Sequence, residues 1–124
     1  MYGVAGSGPL TTGIEGRLER VVDESLVTRH VGGKGVFATP SMIMLMELAA
    51  HRSVEGHLAE GQTTVGYEVC VRHLASVEPG EPITVTSLLK EVRDNRLLFE
   101  VSCTHDGQLV GSGTHKRAIV PAFS

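Results

Sequence analysis

An α+β fold, with an antiparallel sheet wrapped around one long central helix, is predicted for this chain by three observations. The stretch Met42-Ile43-Met44-Leu45-Met46-Glu47-Leu48-Ala49-Ala50 is apolar all round when wound as a helix, so such a helix needs cover on nearly every side. One β-leaning segment precedes it, and four strand-like segments joined by turns follow it. At 124 residues the chain is long enough for one complete core and too short for two ordinary domains.

In order along the chain, residues 1–13 are rich in Gly, Thr and Ser and predict a flexible tail, with residues 14–124 as the single folded domain. Arg17 to Arg29 contains β-leaning pieces at Leu18–Val22 and Leu26–Val27, consistent with a first strand. Val31-Gly32-Gly33-Lys34-Gly35 predicts a flexible connection. Thr39 stands where an N-cap belongs and Pro40 suits the first helical position. The helix then runs to about Leu58, with Gly61 as its stop.

Beyond it Val65, Tyr67, Val69 and Val71 alternate with Gly66, Glu68, Cys70 and Arg72, the period of a half-buried strand. Ile83–Val92, Leu97–Thr104 and Leu109–Val120 read as three more strands, separated by Arg93-Asp94-Asn95-Arg96 and by the Asp106-Gly107 hairpin signal. The expectation is strand, helix, then four strands in a meander: the hotdog arrangement.

The net charge of −3 offers no field for a phosphate backbone. With no Trp, two Tyr and three Phe there is no stacking platform either, so nucleic acid is not an expected partner. The start lacks a basic and apolar leader, and the Met42–Ala50 run is too short to span a bilayer. A cytoplasmic location without membrane contact is expected. Cys70 and Cys103 are too few for a disulfide framework and suit small buried hydrophobes.

Glu47 is the first residue to suggest chemistry, because an ionised carboxylate in an apolar helix is costly unless paired. On that basis its removal relieves a buried charge. His73 continues the parity of the Val65–Val71 row, so without a bulge it faces the helix on the same side as Glu47. A Glu–His pair in a dry layer satisfies the carboxylate and supplies a general base. A His at a strand end also has a plain structural reading, as does a helical Glu with His51 four residues on. Thr39 is either a simple N-cap or a hydroxyl beside free donors such as the Ser41 N–H, where an oxyanion can be held.

Metal binding finds no support. Cys70 and His73 point to opposite faces of one strand, and Cys103 with His105 supplies only two ligands. His30, His51, His57 and His115 show no ligand spacing and suit surface or interface roles.

Val36-Phe37-Ala38-Thr39, the helix with Leu45-Met46-Glu47, the strand ending Val71-Arg72-His73, and Gly111-Ser112-Gly113-Thr114-His115-Lys116-Arg117-Ala118 together resemble the fluoroacetyl-CoA thioesterase-like hotdog proteins, over roughly residues 27–120. The resemblance implies a homodimer that hydrolyses acyl-CoA thioesters at sites on the subunit interface. It implies Thr39, Glu47 and His73 as the catalytic set, and Gly66 beside the thioester carbonyl; Phe37 and Ser41, flanking Thr39, are expected at the substrate. It implies no cofactor beyond the coenzyme A of the substrate itself. One departure bears on specificity: the aromatic-rich lid of the fluoroacetyl-specific member is reduced here to Val31–Gly35, with Phe37 the only aromatic nearby.

Two rivals differ in class. A non-catalytic hotdog module binding acyl-CoA as a sensor keeps the pocket without needing the polar set. A hydratase wants an Asp and a His on one catalytic segment, and no such pair precedes the sheet.

Overall fold

The computed structural model describes residues 8–123, so residues 1–7 of the expected tail lie outside the described residues. Strand β1 (Glu15–Val21) is followed by a short hairpin of β2 (Val27–Thr28) and β3 (Val36–Phe37), then helix α1 (Thr39–Val54). Four strands complete the order: β4 (Gln62–His73), β5 (Pro82–Arg93), β6 (Arg96–His105) and β7 (Gln108–Pro121). Five of the strands form one antiparallel sheet in the order β1-β5-β6-β7-β4, and α1 packs across its inner face.

The alternation in β5 and β6 does what its period requires. Ile83, Val85, Ser87 and Leu89 point inward from β5, and Leu97, Phe99, Val101 and Cys103 from β6, all buried. From the helix, Met42, Leu45, Met46, Ala49, Ala50 and Val54 meet them at helical spacing. Asp106 and Gly107 both take positive φ, as a two-residue hairpin turn demands. Leu10 and Ile14 pack on the core, and the Gly13 N–H donates to Leu89 O at 2.8 Å. Among the described residues no helix is long and apolar enough to cross a membrane.

Several local expectations are corrected. The segment Arg17–Arg29 is not one strand, because Asp23 caps a turn of 3-10 helix at Glu24–Leu26 by accepting from the Ser25 N–H. Val31–Gly35 is the turn of the β2–β3 hairpin, with Gly32, Gly33 and Gly35 at positive φ. The last four strands are not a meander: β5, β6 and β7 are, but β4 pairs with β7, and among the described residues no strand pairs with its other edge. Pairing partners are set by packing across the whole sheet, which local periodicity does not encode.

The helix ends at Val54, and Glu55–His57 continues as a single 3-10 turn. It is covered on one side only. Met44 is 49% exposed and the Glu47 side chain 39%, so Glu47 is not the deeply buried charge its neighbours suggest. Cys103 is buried, which pushes its thiol up to about 11, whereas Cys70 is exposed.

Candidate active site

Two polar groupings lie along α1. The first is at its N-terminus. Ala38, not Thr39, is the N-cap, and Thr39 and Pro40 are the first two helical residues. The Thr39 hydroxyl is thereby free of the helix and lies 2.8 Å from His73 Nδ1, at the end of β4. Thr39 is exposed, so the hydroxyl is accessible from solvent. Phe37 is buried and holds the His73 ring edge-on, centroids 5.8 Å apart. Its own backbone is fixed by the Phe37 N–H donating to Val77 O at 2.8 Å. The Ser41 N–H belongs to the first helical turn, whose amides have no acceptor within the helix.

Burial holds His73 below the ordinary histidine range, opposed in part by the Ala75 backbone, and its Nε2 is buried without a well-formed hydrogen bond. The ring is therefore neutral at neutral pH, as a proton acceptor has to be.

The second grouping surrounds Glu47, two turns further along. Glu47 Oε1 lies 3.9 Å from Arg117 Nη1 and 4.0 Å from His115 Nε2, both residues buried on β7. Arg117 donates from Nε to Thr64 Oγ1 at 2.8 Å and from Nη2 to Thr64 O at 2.9 Å. It also meets His51 Nδ1 at 3.3 Å and His115 Nε2 at 3.1 Å. Met44, Glu47, Leu48, His51 and Arg117 line an open cavity of about 420 Å³.

Gly66 faces this cluster. A Cβ there would lie 2.8 Å from Glu47 Oε1 and 2.9 Å from His115 Cε1, so only glycine leaves both in place. Gly111 is tight for a different reason: its inner side is filled by Met42 Sδ, a neighbour rather than a ligand.

The expected Glu47–His73 pair does not form within one chain. The eight residues from Thr39 to Glu47 separate them by about 12 Å along the helix axis. The alternation of β4 is also broken in its first half. Gly66 pairs with Arg117 and Glu68 with Lys116, leaving Tyr67 as an extra residue in a bulge. Before the bulge Thr64 and Gly66 face inward, while Val65 and Tyr67 are 42% and 46% exposed, with Arg96 stacked over the Tyr67 ring. After it Val69, Val71 and His73 face inward as expected.

His115 and Arg117 are the residues that sequence reasoning passed over. The surface role offered for His115 does not hold, since it is 1% exposed, and Arg117 is 7% exposed. The signal was present: they share one parity in β7, and a histidine and an arginine on a buried face need a counter-charge such as Glu47. Elsewhere, Glu81, His105 and Asp106 place potential ligand atoms within 4.8 Å of one another at the β6–β7 hairpin. There His105 is engaged by Pro82 O and shares no residue with either grouping.

The depressed ionisation of His73 and His115 carries a stability prediction. Burial lowers both, with Arg117 adding to the effect at His115 against the Glu68 carbonyl and Glu47. The unfolded chain therefore binds protons first. Their contribution is fully present above about 6.5, the unfolded value, and is lost as pH falls toward and through the lower folded values. Thermal unfolding between about pH 7.5 and 5 should show Tm falling below that point. A flat profile contradicts the burial of these rings.

One antiparallel sheet packed around a single long helix is the hotdog arrangement, and here a hydroxyl–imidazole pair stands at the helix N-terminus. The solved structure of the fluoroacetyl-CoA thioesterase FlK superposes with a TM-score of 0.84 at 33% identity, covering 92% of this chain and 90% of that one. A thioesterase superfamily member from Thermus thermophilus matches with a TM-score of 0.83 at 32% identity, covering 91% and 85% of the two chains. The fluoroacetyl-CoA thioesterase of Streptantibioticus cattleyicolor is 44% identical over 86 residues, 68% of this chain and 61% of that relative's length. The family described as fluoroacetyl-CoA-specific thioesterase matches residues 21–122, and the chain belongs to that family.

Proposed function

We propose that this protein hydrolyses acyl-CoA thioesters to the free acid and CoA, with Thr39, His73 and Glu47 as its catalytic residues. The observation that carries the reading is the 2.8 Å contact between Thr39 Oγ1 and His73 Nδ1 at the start of α1. With its proton on Nε2, His73 accepts from the Thr39 hydroxyl and raises its nucleophilicity. The thioester carbonyl lies against the helix N-terminus, where the Ser41 N–H and the positive end of the dipole stabilise the oxyanion. Gly66 lets the acyl group approach Glu47, and Phe37 walls the His73 side. No cofactor takes part, and CoA enters as the leaving group.

Thr39 acts either as the nucleophile or by holding a water that His73 deprotonates. Two substitutions separate these routes. Thr39→Ser should keep most turnover in both, while Thr39→Ala abolishes turnover in the first and leaves a slow, His73-dependent rate in the second. Wild-type turnover by Thr39→Ala contradicts both.

The same reading makes the protein a homodimer with composite sites. Among the described residues the outer edge of the 12-residue β4 pairs with no strand, and Met44, Val65 and Tyr67 leave apolar surface beside it. Antiparallel pairing of two such edges across a twofold axis carries the His73 end of one strand toward the first half of the other, where Gly66 faces Glu47. Glu47 of one copy then serves Thr39 and His73 of the second. A cytoplasmic location fits an enzyme of CoA thioesters whose two thiols are unpaired.

A thiol-release assay over acetyl-, fluoroacetyl-, longer and aromatic acyl-CoAs tests the activity. Absence of turnover across that panel, with binding retained, favours the sensor reading instead. The β2–β3 turn carries Val31, 71% exposed, and packs no aromatic side chain over Thr39. We expect comparable kcat/KM for fluoroacetyl-CoA and acetyl-CoA, because tight discrimination of a small group needs a packed lid. A strong fluoroacetyl preference places discrimination elsewhere in the pocket.

A further inference from the structure

We infer that His115 is a positioning residue: a neutral imidazole that aims the Arg117 guanidinium and through it fixes the Glu47 carboxylate beside Gly66. This rests on the catalytic reading of Glu47 given above. The protonation of His115 follows from its partners. Nδ1 lies 2.8 Å from Glu68 O, and a carbonyl only accepts, so Nδ1 carries the hydrogen. Nε2 lies 3.1 Å from Arg117 Nη1, and a guanidinium only donates, so Nε2 is a bare lone pair. One tautomer alone satisfies both contacts. Phe99, stacked on the ring with centroids 6.3 Å apart, keeps it in that plane.

The consequence falls on Arg117. Of its five N–H groups, three are taken outright, Nε by Thr64 Oγ1, one on Nη2 by Thr64 O and one on Nη1 by His115, and the second on Nη2 shares the His51 Nδ1 lone pair with the Thr64 hydroxyl 3.1 Å away. The hydrogen left over is on Nη1, the nitrogen nearest Glu47 at 3.9 Å. Remove the His115 acceptor and the planar guanidinium is held only along its Nε–Nη2 edge by Thr64, so Nη1 has two free donors and can tilt out of line with Glu47. The carboxylate then loses a defined partner on the side facing Gly66, while its net attraction to the cation persists. The role is thus geometric, which predicts an effect on kcat rather than on KM.

Two substitutions divide the ring's two bonds. In His115→Asn the amide nitrogen can still donate to Glu68 O, but nothing reaches Arg117. In His115→Gln the longer side chain carries its amide oxygen to the Nε2 position, so the acceptor for Arg117 is restored while the bond to Glu68 O is lost. Each is measured with acetyl-CoA and with the fastest acyl-CoA of the panel, in the wild-type and Glu47→Gln backgrounds. We expect His115→Asn to lower kcat by at least about tenfold with Tm nearly kept, and His115→Gln to restore it to within about threefold. In the Glu47→Gln background both should change kcat by less than about twofold, since the residue they act through is gone. Equal losses in the two backgrounds, or an undiminished kcat in His115→Asn, overturn the positioning role and leave that of Glu47 intact. Wild-type turnover by Glu47→Gln alone overturns the catalytic reading of Glu47, and this inference with it. Nitrogen NMR of histidine-labelled wild-type protein gives a check that needs no variant to fold. The Nδ1–H neutral form of His115 at about pH 7 is expected, and a cationic or Nε2–H ring overturns the assignment.

Discussion

Replacing His73 with alanine should lower thioester turnover by about two to four orders of magnitude, the usual contribution of a positioned general base. The fold should survive. His73 sits at the end of β4, its Nε2 has no well-formed partner to lose, and its one side-chain bond is to the exposed Thr39 hydroxyl. Circular dichroism and Tm close to wild type, together with the loss of activity in the thiol-release assay, separate a chemical role from a structural one. Activity near that of wild type removes His73 from the mechanism, and with it the Thr39–His73 pair on which the reading rests.

Glu47→Ala should also abolish most turnover, and it should not stabilise the protein. From the apolar helix sequence alone, deleting a buried charge is expected to be favourable. The structure reverses the sign. The carboxylate is already 39% exposed, so little desolvation is relieved by its loss. Arg117, by contrast, is 7% exposed and has Glu47 as the nearby anion that opposes the effect of its burial. Deleting the anion leaves a buried cation with less compensation, so Tm should fall or hold. A clear rise in Tm for Glu47→Ala contradicts the Glu47–Arg117 coupling.

Much of this fold is legible in the sequence because its signals are local. The apolar run behind Pro40, the alternation in β5 and β6, and the Asp106-Gly107 turn each specify their own conformation. What local pattern does not contain is pairing. That β4 lies beside β7 rather than β5 follows from how the sheet closes around α1. The bulge at Tyr67 is hidden for the same reason. Val65 and Tyr67 are apolar, so the alternation reads through the break, yet one extra residue there is what turns Gly66 toward Glu47 and His73 toward Thr39.

The grouping of the candidate residues was less legible than the elements that carry them. Thr39 could be read as a cap, and only the position of Ala38 at the N-cap shows that its hydroxyl is spare. His73 and Glu47 suggested a pair because a lone buried carboxylate needs a partner, but Glu47 is half-exposed and does not meet His73 within the chain. The partner it finds in the chain is Arg117, some seventy residues on, which no spacing rule connects to a helix.

The central claim is that one working site draws Thr39 and His73 from one copy and Glu47 from another. Mixing inactive His73→Ala with inactive Glu47→Ala tests it most directly, after brief unfolding and joint refolding to exchange chains. In a mixed dimer one site is assembled from the intact His73 of one chain and the intact Glu47 of the other, and the second site carries both defects. With half the dimers mixed and one good site of two in each, the account predicts recovery to about a quarter of wild-type turnover. Refolded mixtures no more active than either variant alone would contradict the composite site.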